Sequence, residues 1–248
     1  FSLVDSFCIQ SKHYRERFLS LGIPNEKLAV TGNLKFDGTF PQTSPKKRQD
    51  MKERWLLQPN DLVLVIGSTH DPEEKIILDA LEEVWKQIPN LSIILVPRHP
   101  ERFDEVASLL ERRKTPYRRY SQLGKGTGQE KVVLLDTMGL LRECYQLADL
   151  ALVAGSFTPK VGGHNIIEPS WYGVPVLFGP HMHAQPELVE FVVKYQAGLQ
   201  IRPENLTSVL LNLLGHSEKR RALGKAGLEM VDDLAGATDR TYHVIKSL

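Results

Sequence analysis

Short apolar runs alternate along this chain with longer segments in which apolar positions recur every three or four residues. The first pattern is typical of buried β-strands and the second of amphipathic helices. The predicted strands are the end of a strand within 1–10, then 28–31, 62–67, 91–96, 117–120, 132–135, 150–153, 175–178 and 198–201. This regular alternation predicts an α/β fold with a doubly wound, Rossmann-like parallel sheet.

A polar stretch interrupts the alternation once, near residue 40. The predicted helices cover 11–21, 72–87, 101–113, 138–147, 186–195, 205–214, 217–233 and 237–246, and a further helical pattern ends at Tyr172. The stretch Gly38–Lys47 contains Pro41 and Pro45 and has the composition of a linker. We therefore predict a domain boundary there.

The apolar strand ending at Ala154 leads into a glycine-rich stretch, Ala154–Pro169. A glycine-rich loop between a strand and a helix lets backbone N–H groups approach an anion, and the helix start adds partial positive charge. Gly162 and Gly163 then predict a phosphate cradle, and the Glu168 carboxylate could accept hydrogen bonds from a ribose diol. A capping box formed by Asn165 and Glu168 is the structural alternative.

Four polar clusters follow predicted strands: Gly67–His70, Pro97–Pro100, Asp136–Gly139 and the glycine-rich stretch Ala154–Pro169. Because the carboxyl ends of parallel strands share one edge of a sheet, we expect the clusters to converge on one ligand site there. This convergence is a stronger indication of a site than any single motif.

Each cluster also has a structural interpretation. Glu73 and Glu74 are explained by capping and by the dipole of the helix that they begin, whereas Gly67 and Ser68 predict a second anion cradle. Arg98 suits bidentate binding of phosphate or carboxylate, although a surface loop would tolerate it. Met138 and Gly139 either pack in the core or approach a base, and Lys35 is either a surface residue or a phosphate contact.

Composition excludes several classes of protein. The chain is 42% hydrophobic and 25% charged, as in ordinary globular proteins, and its net charge of +1 gives no field that favours nucleic acid. Basic clusters at 46–48, 112–114, 118–119 and 219–221 are explained by solvated helix faces, with an anionic membrane surface as the open alternative.

The remaining candidates for special chemistry are two cysteines and a histidine pair. Cys8 and Cys144 lie within apolar patterns, so we predict buried thiols in a reducing compartment. His181 and His183 lack a third neighbouring ligand, so no metal site is predicted. No apolar run is long enough to span a bilayer. Since the sequence begins with Phe1, we expect it to start inside a longer protein.

These motifs together resemble the Kdo transferase family over essentially the whole chain, where Kdo is 3-deoxy-D-manno-oct-2-ulosonic acid. The segments that carry the resemblance are Thr31–Asp37, Ser68–His70 with Glu73 and Glu74, Leu95–Arg102, Asp136–Gly139, Gly162–Asn165 with Glu168, and Gly179–His181. The resemblance implies a GT-B architecture of two Rossmann-like domains with the active site between them. Residues 1–40 would then be the end of the acceptor domain and a hinge, 41–234 the donor-binding domain, and 235–248 a helix crossing back.

The resemblance also implies an activity. The family's donor substrate is CMP-Kdo, its acceptor is the lipid A precursor, transfer inverts the anomeric centre, and neither a cofactor nor a metal is needed. The whole enzyme would work at the cytoplasmic face of the bacterial inner membrane, on an anionic surface. The general base would lie in a segment N-terminal to this chain, so no catalytic residue is named here.

The resemblance also implies a position in the donor site for each candidate residue. Gly162, Gly163 and Asn165 would face the CMP phosphate and Glu168 the ribose. Arg98 and His99 would line the same pocket, and Met138 and Gly139 would lie near cytosine. Lys35 and Ser68 would lie towards the phosphate and the sugar acid. This chain departs from the family at Ile166 and in 184–187, so any donor-sugar contact from the second segment is open.

Two other functional classes share these features. Another GT-B enzyme, either a UDP-sugar transferase or a sugar-nucleotide epimerase, would have the same fold and glycine-rich loop but would prefer UDP to CMP. A non-catalytic nucleotide-binding module would bind the nucleotide without transferring a sugar.

Overall fold

The chain forms two compact units in a computed structural model that describes residues 1–38, 43–125 and 129–248. One unit comprises residues 1–40 with 229–248, and the other comprises residues 41–228. Parts of the predicted linker (38–47) and of the glycine-rich segment 124–128 lie outside the described residues.

The elements follow the predicted alternation. In the described part of the chain the strands are β1 (Phe7–Ile9), β2 (Leu28–Val30), β3 (Leu62–Thr69), β4 (Leu91–Pro97), β5 (Tyr117–Arg119), β6 (Val132–Leu134), β7 (Leu150–Val153), β8 (Val176–Phe178) and β9 (Gly198–Gln200). The α-helices there are α1 (Lys12–Ser20), α2 (Pro45–Arg54), α3 (Glu73–Gln87), α4 (Phe103–Arg112), α5 (Leu141–Leu147), α6 (Pro186–Lys194), α7 (Leu206–Gly215), α8 (Ser217–Leu234) and α9 (Ala237–Lys246).

The larger unit is built on a parallel sheet of seven strands in the order β5-β6-β4-β3-β7-β8-β9. Every residue of β4 is buried, as are Val63–Ile66 in β3, because helices cover both faces of the sheet. The predicted doubly wound parallel sheet is therefore confirmed. Successive strands extend in one direction from β3 to β4 and in the other from β7 to β9, so the order reverses between β3 and β7.

The sheet ends at β5 on one side and at β9 on the other, and each edge strand has three residues. On β5, the Arg118 guanidinium pairs with Glu130 at 2.6 Å and donates to the carbonyls of Trp55 and Leu56 at 2.9 and 2.8 Å. The neighbouring Arg119 pairs with Asp104 at 2.6 Å. Both arginines of this edge are thus held by specific partners.

The smaller unit contains a two-stranded parallel sheet, β1 with β2, together with helix α9. The Asp37 carboxylate accepts hydrogen bonds from the backbone N–H groups of Gly236, Ala237 and Thr238 at the start of α9. The Arg240 guanidinium donates to the carbonyl of Thr31 at 2.7 Å. These contacts tie the last helix to the segment 31–37, and the assignment of this unit to an acceptor domain stays a prediction.

Three local expectations are corrected. Helix α2 begins inside the predicted linker, because Pro45 occupies its first turn and the Ser44 side chain caps the N–H of Lys47 at 3.2 Å. Helix α5 begins at Leu141 rather than residue 138, since Gly139 has φ +88°. Cys8 is exposed because β1 is a short strand in a two-stranded sheet.

Cys144, by contrast, is buried as predicted, and its burial raises the pKa of the thiol well above its usual value. The thiol is therefore uncharged at neutral pH and acts as a small apolar side chain in the core.

None of the helices in the described segments has the length and apolarity needed to cross a bilayer.

Candidate functional site

The carboxyl end of β3 is irregular at Ser68. The register of β3 against β4 shifts between Gly67 and Thr69, and Ser68 has φ +60°. A non-glycine residue in this left-handed region is strained, and such strain concentrates at functional sites. The N–H of Arg98 donates to the carbonyl of Thr69 at 3.0 Å, so the segments that end β3 and β4 are joined directly.

A buried carboxylate, Glu73, joins the loop after β3 to the loop after β7. Its Oε1 accepts from the N–H groups of Ser156 and Phe157 at 3.0 and 2.8 Å, and its Oε2 from those of His70 and Gly155 at 3.0 and 2.7 Å. Burial raises the pKa of Glu73, whereas the four N–H donors lower it. The dipole explanation given for Glu73 was incomplete, because this side chain organises both loops.

Glu74 is also buried, and it holds the loop after β4. Arg102 binds it in a bidentate ion pair, with Nη1–Oε1 at 2.5 Å and Nη2–Oε2 at 3.1 Å. Arg102 is thus committed to the protein. The exposed Arg98 guanidinium, in contrast, makes no hydrogen bond or ion pair with any residue that the structure describes, so it is available to a ligand.

A cavity of about 360 Å³ opens at this edge of the sheet. It brings together five of the predicted site residues, Ser68, Arg98, Met138, Gly139 and Glu168, and its other lining residues are Val96, Pro97, Leu135, Thr137, Leu141 and Arg142. Two guanidinium groups and one carboxylate face an otherwise largely apolar space. A small ligand with a negative group and hydroxyls would fit this chemistry.

Glu168 begins the 3-10 helix Glu168–Tyr172 and lines the cavity. Its Oε1 accepts from Asn165 Nδ2 at 3.4 Å and lies 3.9 Å from Arg142 Nη2. Burial raises the pKa of Glu168, and the nearby Arg142, Asn165 and Arg98 oppose that shift. Asn165 Oδ1 accepts the N–H of Ile167 at 3.2 Å, so the alternative capping box is not formed.

Gly162 and Gly163 lie in the loop before Glu168 and do not line the cavity. Both have positive φ, +86° and +92°, and a Cβ on Gly162 would lie 2.6 Å from His183 Nε2. A Cβ on Gly163 would meet the sulfur of Met182, and the N–H of Gly163 donates to the carbonyl of Gly155 at 2.7 Å. The glycines therefore fit this loop against 182–183, and their role towards a phosphate stays a prediction.

Three histidines lie beside the cavity. His70 Nε2 and His164 Nε2 are 2.8 Å apart with the rings stacked, and the ring of the exposed His99 is 5.2 Å from that of His70. Since one nitrogen must donate and the other accept, the His70–His164 pair is bridged by a single proton. No group of three His, Cys, Asp or Glu side chains able to hold a metal occurs among the described residues.

Burial lowers the pKa of His164 from 6.5 to about 4, with further lowering by the nearby His70, Arg98 and His99. The unfolded chain therefore binds more protons than the folded chain between these two pH values. The free energy of unfolding contributed by this residue is complete above pH 6.5 and is lost as the pH falls towards about 4.

We expect His164→Gln to reduce the loss of stability in acid. Between pH 7 and pH 5 the free energy of unfolding of the wild type should fall by up to about 2 kcal/mol more than that of the variant, after allowance for solvent screening. Urea unfolding of both proteins at both pH values measures this difference. Equal losses would show that His164 does not titrate as described.

Lys35 lies in the 3-10 helix Leu34–Phe36 of the smaller unit, where its N–H donates to Asn33 Oδ1 at 3.0 Å. It does not line the cavity. Sequence reasoning missed Arg142, whose guanidinium lies in the cavity wall and 5.0 Å over the Trp171 ring. Arg142 lies four residues after Met138, and residues at this spacing share one face of the predicted helix. This spacing could have identified Arg142 as a further residue of the site.

Comparison with known proteins gives three findings. Residues 1–38 match a family described as 3-deoxy-D-manno-octulosonic-acid transferase (kdotransferase). The 3-deoxy-D-manno-octulosonic acid transferase of Chlamydophila psittaci is 35% identical over 99% of this chain. That of Haemophilus influenzae is 35% identical over 93% of it. The chain spans 56% of the first and 54% of the second, which is about half of each relative.

Solved structures agree with these matches. The C-terminal CMP-Kdo binding domain of WaaA from Acinetobacter baumannii is 31% identical, with a TM-score of 0.69, over 80% of this chain and 99% of that domain. Anabaena Alr3699/HepE, solved with UDP and glucose, has a TM-score of 0.64 over 98% of this chain and 62% of its own, and at 17% identity it supports the fold alone. The chain therefore belongs to the 3-deoxy-D-manno-octulosonic acid transferase family.

Proposed function

We propose that this chain is the CMP-Kdo-binding part of a Kdo transferase that transfers Kdo to the lipid A precursor, lipid IVA, in lipopolysaccharide synthesis. The observation that carries the proposal is the convergence of Arg98, Glu168, Met138 and Gly139 on one cavity at the point where the strand order reverses. Nucleotides bind at this point in doubly wound sheets. The 31% identity to a CMP-Kdo binding domain supports CMP-Kdo as the donor.

Each residue of the cavity has a proposed part in binding CMP-Kdo. Arg98 binds the phosphate, because its guanidinium has no protein partner among the described residues and Arg102 is held by Glu74. Glu168 accepts hydrogen bonds from the ribose hydroxyls. Met138, which is 52% exposed, packs on the cytosine face, and Gly139 leaves open space beside it.

The remaining predicted site residues have supporting roles in the proposed binding of CMP-Kdo. Ser68 lies towards the sugar acid, and the role of Lys35 towards the phosphate stays a prediction. Gly162, Gly163 and Asn165 shape the loop that carries Glu168 on the side of the phosphate, and His99 lies beside Arg98. We propose that positive side chains balance the phosphate charge, so that the reaction needs no metal or cofactor.

In the proposed reaction, the acceptor hydroxyl oxygen forms a bond to the anomeric carbon of Kdo from the side opposite the nucleotide. The bond from that carbon to the CMP phosphate oxygen breaks, CMP leaves with the electron pair, and the hydroxyl proton passes to a base. We place that base outside this chain, as the family resemblance implies, and the whole enzyme at the cytoplasmic face of the inner membrane.

Calorimetric titration of this chain with CMP, UMP and UDP tests the proposal. CMP and UMP differ only in the base, and a mismatched hydrogen-bonding edge leaves buried groups unpaired, so we expect CMP to bind about tenfold more tightly than UMP. Preference for UDP would instead indicate a UDP-sugar enzyme of the same fold. A folded chain that binds no CMP would contradict the proposal.

A further inference from the structure

A second cavity, of about 310 Å³, opens at the end of the seven-stranded sheet opposite to the donor cavity. Its wall includes Ala148 and Asp149, which precede β7, and Val174 and Pro175, which precede β8. The donor cavity is lined instead by residues at the carboxyl ends of strands, such as Pro97 and Leu135. The second cavity therefore lies at the amino ends of the strands and has no part in the proposed donor site.

Two basic clusters that are far apart in the sequence meet at this second cavity. Arg48, on α2, belongs to the cluster 46–48, and Arg220 and Arg221, on α8, belong to the cluster 219–221. The sequence alone explained both clusters as solvated helix faces. The convergence of three arginines from two helices on one concavity needs a different explanation.

The three guanidinium groups are held differently. Arg48 Nη2 pairs with Asp149 Oδ2 at 2.9 Å, which balances its charge. Arg220 Nη1 donates to the carbonyls of Leu213 and Leu214, each at 2.6 Å, and carbonyls fix a guanidinium without neutralising it. Arg221 is exposed and has neither a hydrogen bond nor an ion pair within the described parts of the chain. Three positive charges against one negative charge leave two uncompensated in the wall.

Neutral hydrogen-bonding groups complete the wall. The Thr43 hydroxyl and the Gln146 side chain lie there, joined by a hydrogen bond of 2.9 Å. Ser217 is the first residue of the 18-residue helix α8, whose first N–H groups lack intrahelical partners and favour a negative group. A concave site with excess guanidinium charge and additional donors is suited to phosphate oxygens.

We infer that this cavity binds a phosphate-bearing ligand at a site separate from the donor nucleotide. Its volume is at the lower end of the range for small-molecule sites, so a phosphate ester with a compact substituent would fill it. Two sources share this chemistry, a soluble phosphate ester and the headgroup of an anionic phospholipid.

The test is calorimetric titration of this chain with inorganic pyrophosphate. We expect Arg221→Gln to weaken binding about tenfold, since one charge-assisted contact to phosphate is lost. Arg112→Gln is the matched control. It removes the same charge from an exposed arginine outside both cavities that has no hydrogen bond or ion pair with the described residues. This control should bind pyrophosphate within about twofold of the wild type.

A parallel arm uses vesicles of phosphatidylcholine with and without phosphatidic acid. Binding that requires phosphatidic acid, depends on Arg221 and is displaced by pyrophosphate identifies a lipid headgroup as the source. Binding of pyrophosphate without binding of the vesicles identifies a soluble ester. Absence of pyrophosphate binding, or equal affinity in Arg221→Gln and the wild type, overturns the inference, and neither result depends on whether CMP binds.

Discussion

Replacing Glu73 by alanine is expected to lower the free energy of unfolding of the larger unit by about 4 kcal/mol. The carboxylate is fully buried and accepts four backbone hydrogen bonds from two separate loops. Alanine would leave all four N–H groups without their acceptor, and an unsatisfied buried polar group costs about 1–3 kcal/mol. Guanidinium unfolding followed by tryptophan fluorescence measures the change.

Two further variants separate this role from the loss of a charge. Glu73→Gln keeps one oxygen and so retains one of the two pairs of N–H donors, and we expect it to lose about 2 kcal/mol. Glu82 lies on the same helix, and its side chain is 65% exposed. Glu82→Ala should therefore lower the free energy of unfolding by less than about 1 kcal/mol. Equal effects at Glu73 and Glu82 would show that the four hydrogen bonds contribute no stability.

Replacing Glu168 by alanine is expected to weaken CMP binding by roughly 2–4 kcal/mol, which is about 30- to 1000-fold. The reason is the proposed pair of ribose hydroxyls, which would lose a charged acceptor. Among the described residues, the carboxylate accepts a long hydrogen bond from Asn165 and lies 3.9 Å from the Arg142 guanidinium, with no other hydrogen bond or ion pair. The free energy of unfolding should therefore fall by less than about 1 kcal/mol.

CMP calorimetry and thermal unfolding of the same Glu168→Ala sample distinguish the binding role from a structural role. Glu190→Ala, which removes an exposed carboxylate outside the cavity, is the matched control and should keep wild-type affinity. Unchanged CMP affinity together with a lower melting temperature would assign Glu168 to structure and leave the ribose without its proposed partner.

The sheet could be predicted from the sequence because its strands are buried on both faces. Runs such as Ile93–Val96 are continuously apolar, and a short continuous apolar run between turn signals has few alternatives to a central parallel strand. The order of strands within the sheet depends on contacts between distant segments. The local pattern carries no information on those contacts.

About half of the residues that line the donor cavity could be predicted, because they lie at the ends of predicted strands. Ser68, Arg98, Met138 and Gly139 lie at or just beyond the carboxyl ends of strands, and the topology then places them on one side of the sheet. Arg142 and the buried position of Glu73 were missed because both depend on which side chains meet after the loops fold. The sequence shows Glu73 only as one of two acidic residues at a helix start.

Helix α2 was missed because the same residues signal both a linker and a helix start. Pro45 breaks a regular pattern, but it is also favoured in the first turn of a helix after a serine cap. The apolar neighbours of Cys8 suggested burial, but a two-stranded sheet covers its strands less completely than a seven-stranded sheet does.

The two edge strands of the seven-stranded sheet are short, and this length affects the tendency of the protein to aggregate. An edge strand exposes unpaired backbone groups that can template a strand from another chain. With three residues in β5 and three in β9, an incoming strand would gain few hydrogen bonds at either side. β5 also carries two charged side chains, Arg118 and Arg119, which pair with Glu130 and Asp104, and charged side chains on an edge strand disfavour such pairing. The folded sheet is thus protected against edge-to-edge growth.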